Sequence, residues 1–318
     1  MTTRVWALAR KTARRRNPVG RLLGTMGILV VLALLTAGLF NIFTAWSGSG
    51  DPGEGDEGAG PGMLEVLPPE PVTPPLSFEG FNPANIISDE QFFNVAAYDL
   101  AQIEGFLQRW NEGCRTGRDG TACITEYRTD SPSFEADQFC SGGFEGATGD
   151  SVAAIIWKAA NACGINPQVL LTTLQKEQGL ITASGARLNE TRYTIAMGYA
   201  CPDSANCDPT YFGFATQVYY AARQFRVYEA QPERFMTAPQ REDFVPYAPG
   251  EACGGTPVFV ENLATSNLYN YTPYQPNESV FNGSYDACAS VGNVNFYAYF
   301  NAWFGTPELA AASAAPAA

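Results

Sequence analysis

Apolar residues recur at helical rather than strand spacing through most of the chain's second two thirds. Ser88-Asp-Glu-Gln91 has the form of a capping box. Phe92, Phe93, Ile103, Phe106 and Leu107 follow it as an apolar face. Asp150 stands as the cap of a second helix, with Val152, Ile155, Ile156 and Ala159 on one side and Gly164 closing it. Asn166-Pro167 opens a third. YYAARQFRVY, Tyr219 to Tyr228, predicts a fourth after the Gly213-Phe214 turn, and a last helix runs near Asn295 to Phe304 and stops at Gly305. Only TPVFVEN, 256 to 262, has strand character.

One position breaks the pattern. In the third helix Leu170, Leu174 and Ile181 share a face, and Glu177 falls on it two turns after Leu170. A carboxylate on a buried face is paired, protonated or chemically engaged, because an unpaired buried charge is costly. The structural alternative is an ion pair at the helix end with Lys176, Arg187 or Arg192.

The amino-terminal third reads differently. Residues 1–21 carry seven bases and no acid, and Leu22 to Phe43 is an uncharged run of 22 residues. That length suffices for ~30 Å of hydrocarbon. Thr44-Ala45-Trp46 is a poor cleavage site. We therefore expect a basic cytoplasmic segment 1–21 and a transmembrane anchor 22–43, with the chain beyond outside the cell membrane as a single-pass protein. Residues 44–77 form a linker: Ser47 to Leu76 contains seven glycines, seven prolines, six acids and no base. One exported domain spans 78–305, and the Ala-rich tail 306–318 is expected to be disordered.

Charge and cysteine usage narrow the chemistry. All 32 acids lie beyond Trp46, against 12 of the 19 bases. Such an exterior repels phosphate backbones, so no nucleic-acid partner is expected. Eight cysteines in an exported chain predict four disulfides. Pairing of neighbours gives Cys114–Cys123, Cys140–Cys163, Cys201–Cys207 and Cys253–Cys288. The chain has no histidine and no Cys-x-x-Cys pair, so neither a metal site nor a cofactor is expected. A histidine-based catalytic triad is excluded, which leaves carboxylates, tyrosines or lysines for acid–base work.

The segment ANACGINPQVLLTTLQKEQGL resembles the opening of the lysozyme-like domain of lytic transglycosylases and goose-type lysozymes, over roughly 150–230. In that superfamily a short helix, a glycine turn and a second helix lead to one catalytic glutamate, which corresponds here to Glu177. Gln178 stands where those enzymes carry serine, and Ala196-Met-Gly-Tyr199 is the nearest counterpart of their Gly-Leu-Met-Gln motif. LQKEQGL, AMGY, LYNYTPYQPN and the late WFG also resemble a group of surface proteins of Gram-positive bacteria, some labelled haemagglutinin.

The pattern predicts a mainly α fold with long disulfide-pinned loops and minor β, preceded by a single transmembrane helix, and the resemblance implies that the helical domain is lysozyme-like. The resemblance also implies cleavage of peptidoglycan or a related cell-wall glycan, with Glu177 as general acid and then base. The alternative is a module that binds wall glycan, or adheres to surfaces, without cleaving. The substrate-binding candidates are Gln178, Met197, Tyr199 and Tyr211, with Gln217, Tyr271 and Tyr274. Tyrosine rings offer apolar faces with a polar tip, which suits sugars. A hydrolytic route needs a second acid. Glu190, Asp203 and Asp208 follow in sequence, each in a loop-like setting that reads as a solvated turn.

Overall fold

The computed structural model describes residues 69–203 and 205–307. The expected segment 1–21, the anchor 22–43, the linker as far as 68 and the tail from 308 lie outside them. Among the described residues no helix is long and apolar enough to cross a membrane.

The fold is mainly helical. Nine α-helices and four strands follow one another among the described residues: α1 Asp89–Phe92, α2 Leu100–Trp110, β1 Arg128–Thr129, β2 Asp150–Ser151, α3 Val152–Cys163, α4 Pro167–Gln178, α5 Glu190–Thr194, α6 Phe214–Ala230, β3 Arg241–Pro246, β4 Gly255–Val260, α7 Leu263–Tyr271, α8 Glu278–Phe281 and α9 Gly292–Phe304. α4 is central and packs against α3 and α9. α3 also meets α2 and α6, and α6 meets α7. Leu170, Leu171, Leu174, Ile155, Phe225, Phe296 and Phe300 are fully buried in the core between them.

The local chemistry of α4 explains why it forms there. Asn166 Oδ1 accepts from the Gln168 N–H at 2.8 Å, and Pro167 occupies the first turn, where no N–H is needed. The Asn166 amide also donates to the Gln91 carbonyl at 2.7 Å, tying α4 to α1. Thr172 and Thr173 are buried, and their hydroxyls donate to the Gln168 and Val169 carbonyls at 2.8 Å each. Gly179 ends the helix with φ +60°, a left-handed turn that glycine adopts without strain.

Several predicted boundaries move. Ser151, not Asp150, caps α3, accepting from the Ala154 N–H at 3.1 Å. Asp150 lies in β2 instead, where it accepts from Ser131 Oγ at 2.5 Å and Lys158 Nζ at 2.6 Å. The shorter serine side chain reaches the helix N–H groups while the carboxylate is occupied by a lysine eight residues on. Ser88 does cap α1, but the reciprocal capping box is Asp99–Gln102 at the start of α2. The predicted strand is β4, and its antiparallel partner β3 was not anticipated. All four expected disulfides are formed, and no cysteine among the described residues is free. Residues 69–77, the end of the expected linker, lie along the body. Pro71 and Pro74 are buried, Glu70 pairs with Arg115, and Arg187 donates to the Pro71 carbonyl at 3.4 Å.

Candidate functional site

Glu177 is the penultimate residue of α4, with its side chain 23% exposed. The turn after the helix is held firmly. Gln175 is buried and its amide bonds Thr182 Oγ1 at 3.0 Å, while Asn111 Nδ2 donates to the Ile181 carbonyl at 2.9 Å. Ile181 therefore extends the apolar face into a 3₁₀ turn beyond the helix end. Lys176, whose side chain is only 5% exposed, donates from Nζ to Glu177 Oε1 and to Thr272 Oγ1, the latter at 2.6 Å. Adjacent residues on a helix do not normally face each other. The long lysine stem curls back to make this pair, and its Nζ lies 5.6 Å from the centre of the Tyr271 ring. Of the three bases that could pair with Glu177, the structure selects Lys176: Arg187 reaches Pro71, and Arg192 donates to the Gln178 carbonyl.

Glu177 Oε2 turns the other way. It rests on the backbone of Gly198, where an added Cβ would lie 2.9 Å from it. Among the described residues Oε2 receives no hydrogen bond. Glu177 lines a cleft of ≈ 570 Å³ whose walls include Lys176, Gly198, Asp203, Asn270, Tyr271, Thr272 and Tyr274. A second depression of ≈ 490 Å³ adjoins it past Gly198 and Pro202, with Tyr199, Asp208, Gln224 and Tyr228 on its wall.

Two buried amides shape these walls. Gln217 on α6 accepts from the Met197 and Tyr199 N–H groups at 3.2 and 3.1 Å, and donates to the Tyr199 and Tyr211 carbonyls at 3.0 and 2.8 Å. Asn293 on α9 donates to the Thr272 and Tyr274 carbonyls at 2.9 and 3.0 Å. Both side chains are fully buried. Tyr271 Oη donates to the Met197 carbonyl at 2.6 Å and joins the two walls. Tyr274 Oη donates to Asp203 Oδ2 at 2.7 Å, linking the rims.

Burial, aided by the Glu177 charge, pushes the Tyr271 hydroxyl well above its ordinary range. Tyr274 is pushed up to about 12, first by burial and then by its bond to Asp203. Both are therefore protonated donors at neutral pH. Burial also raises Tyr199.

The expected site residues separate into three groups. Glu177, Tyr271 and Tyr274 meet in the main cleft, and Tyr199 lines the adjoining depression. Met197, Gln217 and Tyr211 stand behind the wall; Met197 and Gln217 are buried, and Tyr211 packs edge-on against Tyr199 at 5.0 Å. Gln178 lies at the helix end beside Arg192, off the cleft. Of the loop acids, Asp203 lines the cleft and Asp208 the depression, while Glu190 accepts from Tyr127 Oη at 3.2 Å elsewhere. Gly198 and Thr272 were not anticipated. Gly198 sat inside the quoted AMGY motif and Thr272 inside LYNYTPYQPN, but neither was singled out within it. Comparison with protein-family models, with curated proteins and with solved structures returned no match.

Proposed function

We propose that the cleft holds a cell-wall glycan strand and that Glu177 cleaves its glycosidic bond, acting first as acid and then as base. One observation carries this reading: Glu177 presents one unbonded carboxylate oxygen to an aromatic cleft while its other oxygen is fixed by Lys176. The remaining carboxylate in the main cleft, Asp203, is engaged by Tyr274. The one-carboxylate route fits this arrangement. Glu177 gives a proton to the leaving oxygen as the C1–O bond breaks. The resulting carboxylate takes the proton of the same sugar's 6-hydroxyl as O6 bonds to C1, which yields a 1,6-anhydro product without water. Tyr274 supplies a ring face at the rim, while Tyr271 and Asn270, whose polar atoms bond Met197 and Thr237, shape the wall behind it. The domain would work outside the cell membrane, tethered by residues 22–43. The Lys176–Glu177 pair supports a second reading, a cleft that binds glycan without cleaving it, because an ion pair already satisfies that carboxylate.

Incubation of the full chain with peptidoglycan, followed by mass analysis of released muropeptides, tests both. We expect anhydro-muropeptides from the wild type and none from Glu177→Gln, with strand binding retained by both. Release by Glu177→Gln equal to wild type overturns the catalytic role. Binding without release by the wild type leaves the binding module as the function.

A further inference from the structure

Lys176 is an unusual residue to find in such a wall. A lysine is seldom buried unless paired, and holding its ammonium away from water is costly. Here the side chain is 5% exposed, on the same helix turn as the candidate acid. Its ammonium donates to Glu177 Oε1 and Thr272 Oγ1 and lies 5.6 Å from the centre of the Tyr271 ring. Thr272 is itself fixed, since its carbonyl is held by Asn293 and its methyl group lies against Gly292 at the start of α9. The ammonium is thus anchored by α7 and α9, independently of the glutamate. Of the residues lining the cleft, Lys176 is the sole cation, and the acids and phenols facing it are Glu177, Asp203, Tyr271 and Tyr274.

We propose that Lys176 is a positioning residue that selects Oε2 as the reactive oxygen of Glu177 and stabilises the carboxylate left after proton donation. This rests on the cleavage reading given above. With Oε1 tied to the ammonium, the carboxyl group has one rotamer, and the proton that is given and retaken must travel through Oε2, the oxygen facing Gly198 and the cleft. When that proton moves to the leaving oxygen, a negative charge appears on Glu177 beside a fixed positive charge in a poorly hydrated wall. Such a charge acts strongly because it needs no reorganisation at the moment of reaction. Lys176 keeps all its protons throughout, so the only proton gained or lost by the protein is the one on Oε2.

The experiment compares Lys176→Met, Lys176→Arg and Thr272→Val with the wild type, using muropeptide release from peptidoglycan, strand binding and thermal unfolding. Lys176→Met keeps the stem and removes the charge. It should lower kcat about 100-fold with KM unchanged, the size of effect typical of removing one preorganised partner of transition-state charge. It should also change the shape of the pH–rate profile, whereas a purely structural lesion scales the whole profile down. Lys176→Arg should restore part of kcat by keeping the positive charge. Thr272→Val, which leaves the charge but loosens its anchor, should give a smaller loss of kcat and serves as the test if Lys176→Met does not fold. Wild-type kcat in Lys176→Met, or a loss confined to KM, overturns the role of Lys176 and leaves the cleavage reading intact. A wild type that binds strands but releases nothing overturns both.

Discussion

Gly198 shows how much a single residue decides at this site. Its φ is +67°, and its missing side chain leaves room for the Glu177 carboxylate. Gly198→Ala should suffer twice. A left-handed alanine costs about 1–2 kcal/mol, and a Cβ 2.9 Å from Oε2 must displace the glutamate. We expect a stability loss of roughly that size in urea unfolding, together with loss of muropeptide release. Full release by a stable Gly198→Ala protein would show that Glu177 does not act from this position. Glu177 itself was legible in the sequence, because a carboxylate on an apolar face demands an explanation. Its partner was not. The sequence offered Lys176, Arg187 and Arg192 without ranking them, and only their contacts in the folded chain, with Thr272, Pro71 and the Gln178 carbonyl respectively, separate them.

At the scale of the element, legibility followed the strength of the local signal. α4 was readable at its start, since Asn-Pro marks a helix opening by its own conformational preferences; its end falls earlier than the apolar face suggested, because Gly179 turns left-handed before Ile181. β3 was not readable, because REDFVP holds three charged residues and only Val245 is buried; pairing with β4, not burial, makes it a strand. The aromatic face assigned behind Ser88 belongs to two helices, α1 and α2, separated by a 3₁₀ turn at Val95–Ala97. Because α4 carries Glu177, its start should control the site from a distance. Asn166→Ala removes the cap on Gln168 and the bond to Gln91 from a fully buried position. Loss of such a cap costs about 1–2 kcal/mol, and the Gln91 carbonyl is left without this donor. Urea unfolding of Asn166→Ala should show at least that loss, and Asn166→Asp, which keeps the cap acceptor, should recover part of it. Equal stability of Asn166→Ala and wild type would mean that α4 is fixed by packing alone.

At the scale of the whole molecule, the cleft is assembled from 176–177, 198, 201–203, 249, 270–274 and 292, so no local pattern could have drawn it. The disulfides were readable because an even cysteine count constrains the entire chain at once and each cysteine pairs with its neighbour in sequence. One global consequence of the fold concerns alkaline pH. Tyr127 and Tyr274 are both raised from about 10 to about 12, each chiefly by burial and further by a neighbouring carboxylate, Glu190 and Asp203 respectively. Tyr271 is also raised well above its ordinary range, by burial first and then by the Glu177 charge. In the unfolded chain these phenols ionise near pH 10. Between pH 10 and about 12 the unfolded state therefore binds fewer protons than the folded one, and stability must fall as pH rises. Below pH 10 both states are protonated and the contribution is fully present. Urea unfolding across this window should show a steady decline, in step with delayed phenolate absorbance of the folded protein. Tyr274→Phe cannot ionise, so its decline should be shallower than the wild type's, even though it loses the bond to Asp203 and begins from lower stability. A wild-type stability that stays level from pH 10 to 12, or a parallel decline in Tyr274→Phe, would mean that the half-buried rim tyrosine is not held against Asp203 in solution and that the cleft is more open than this structure describes.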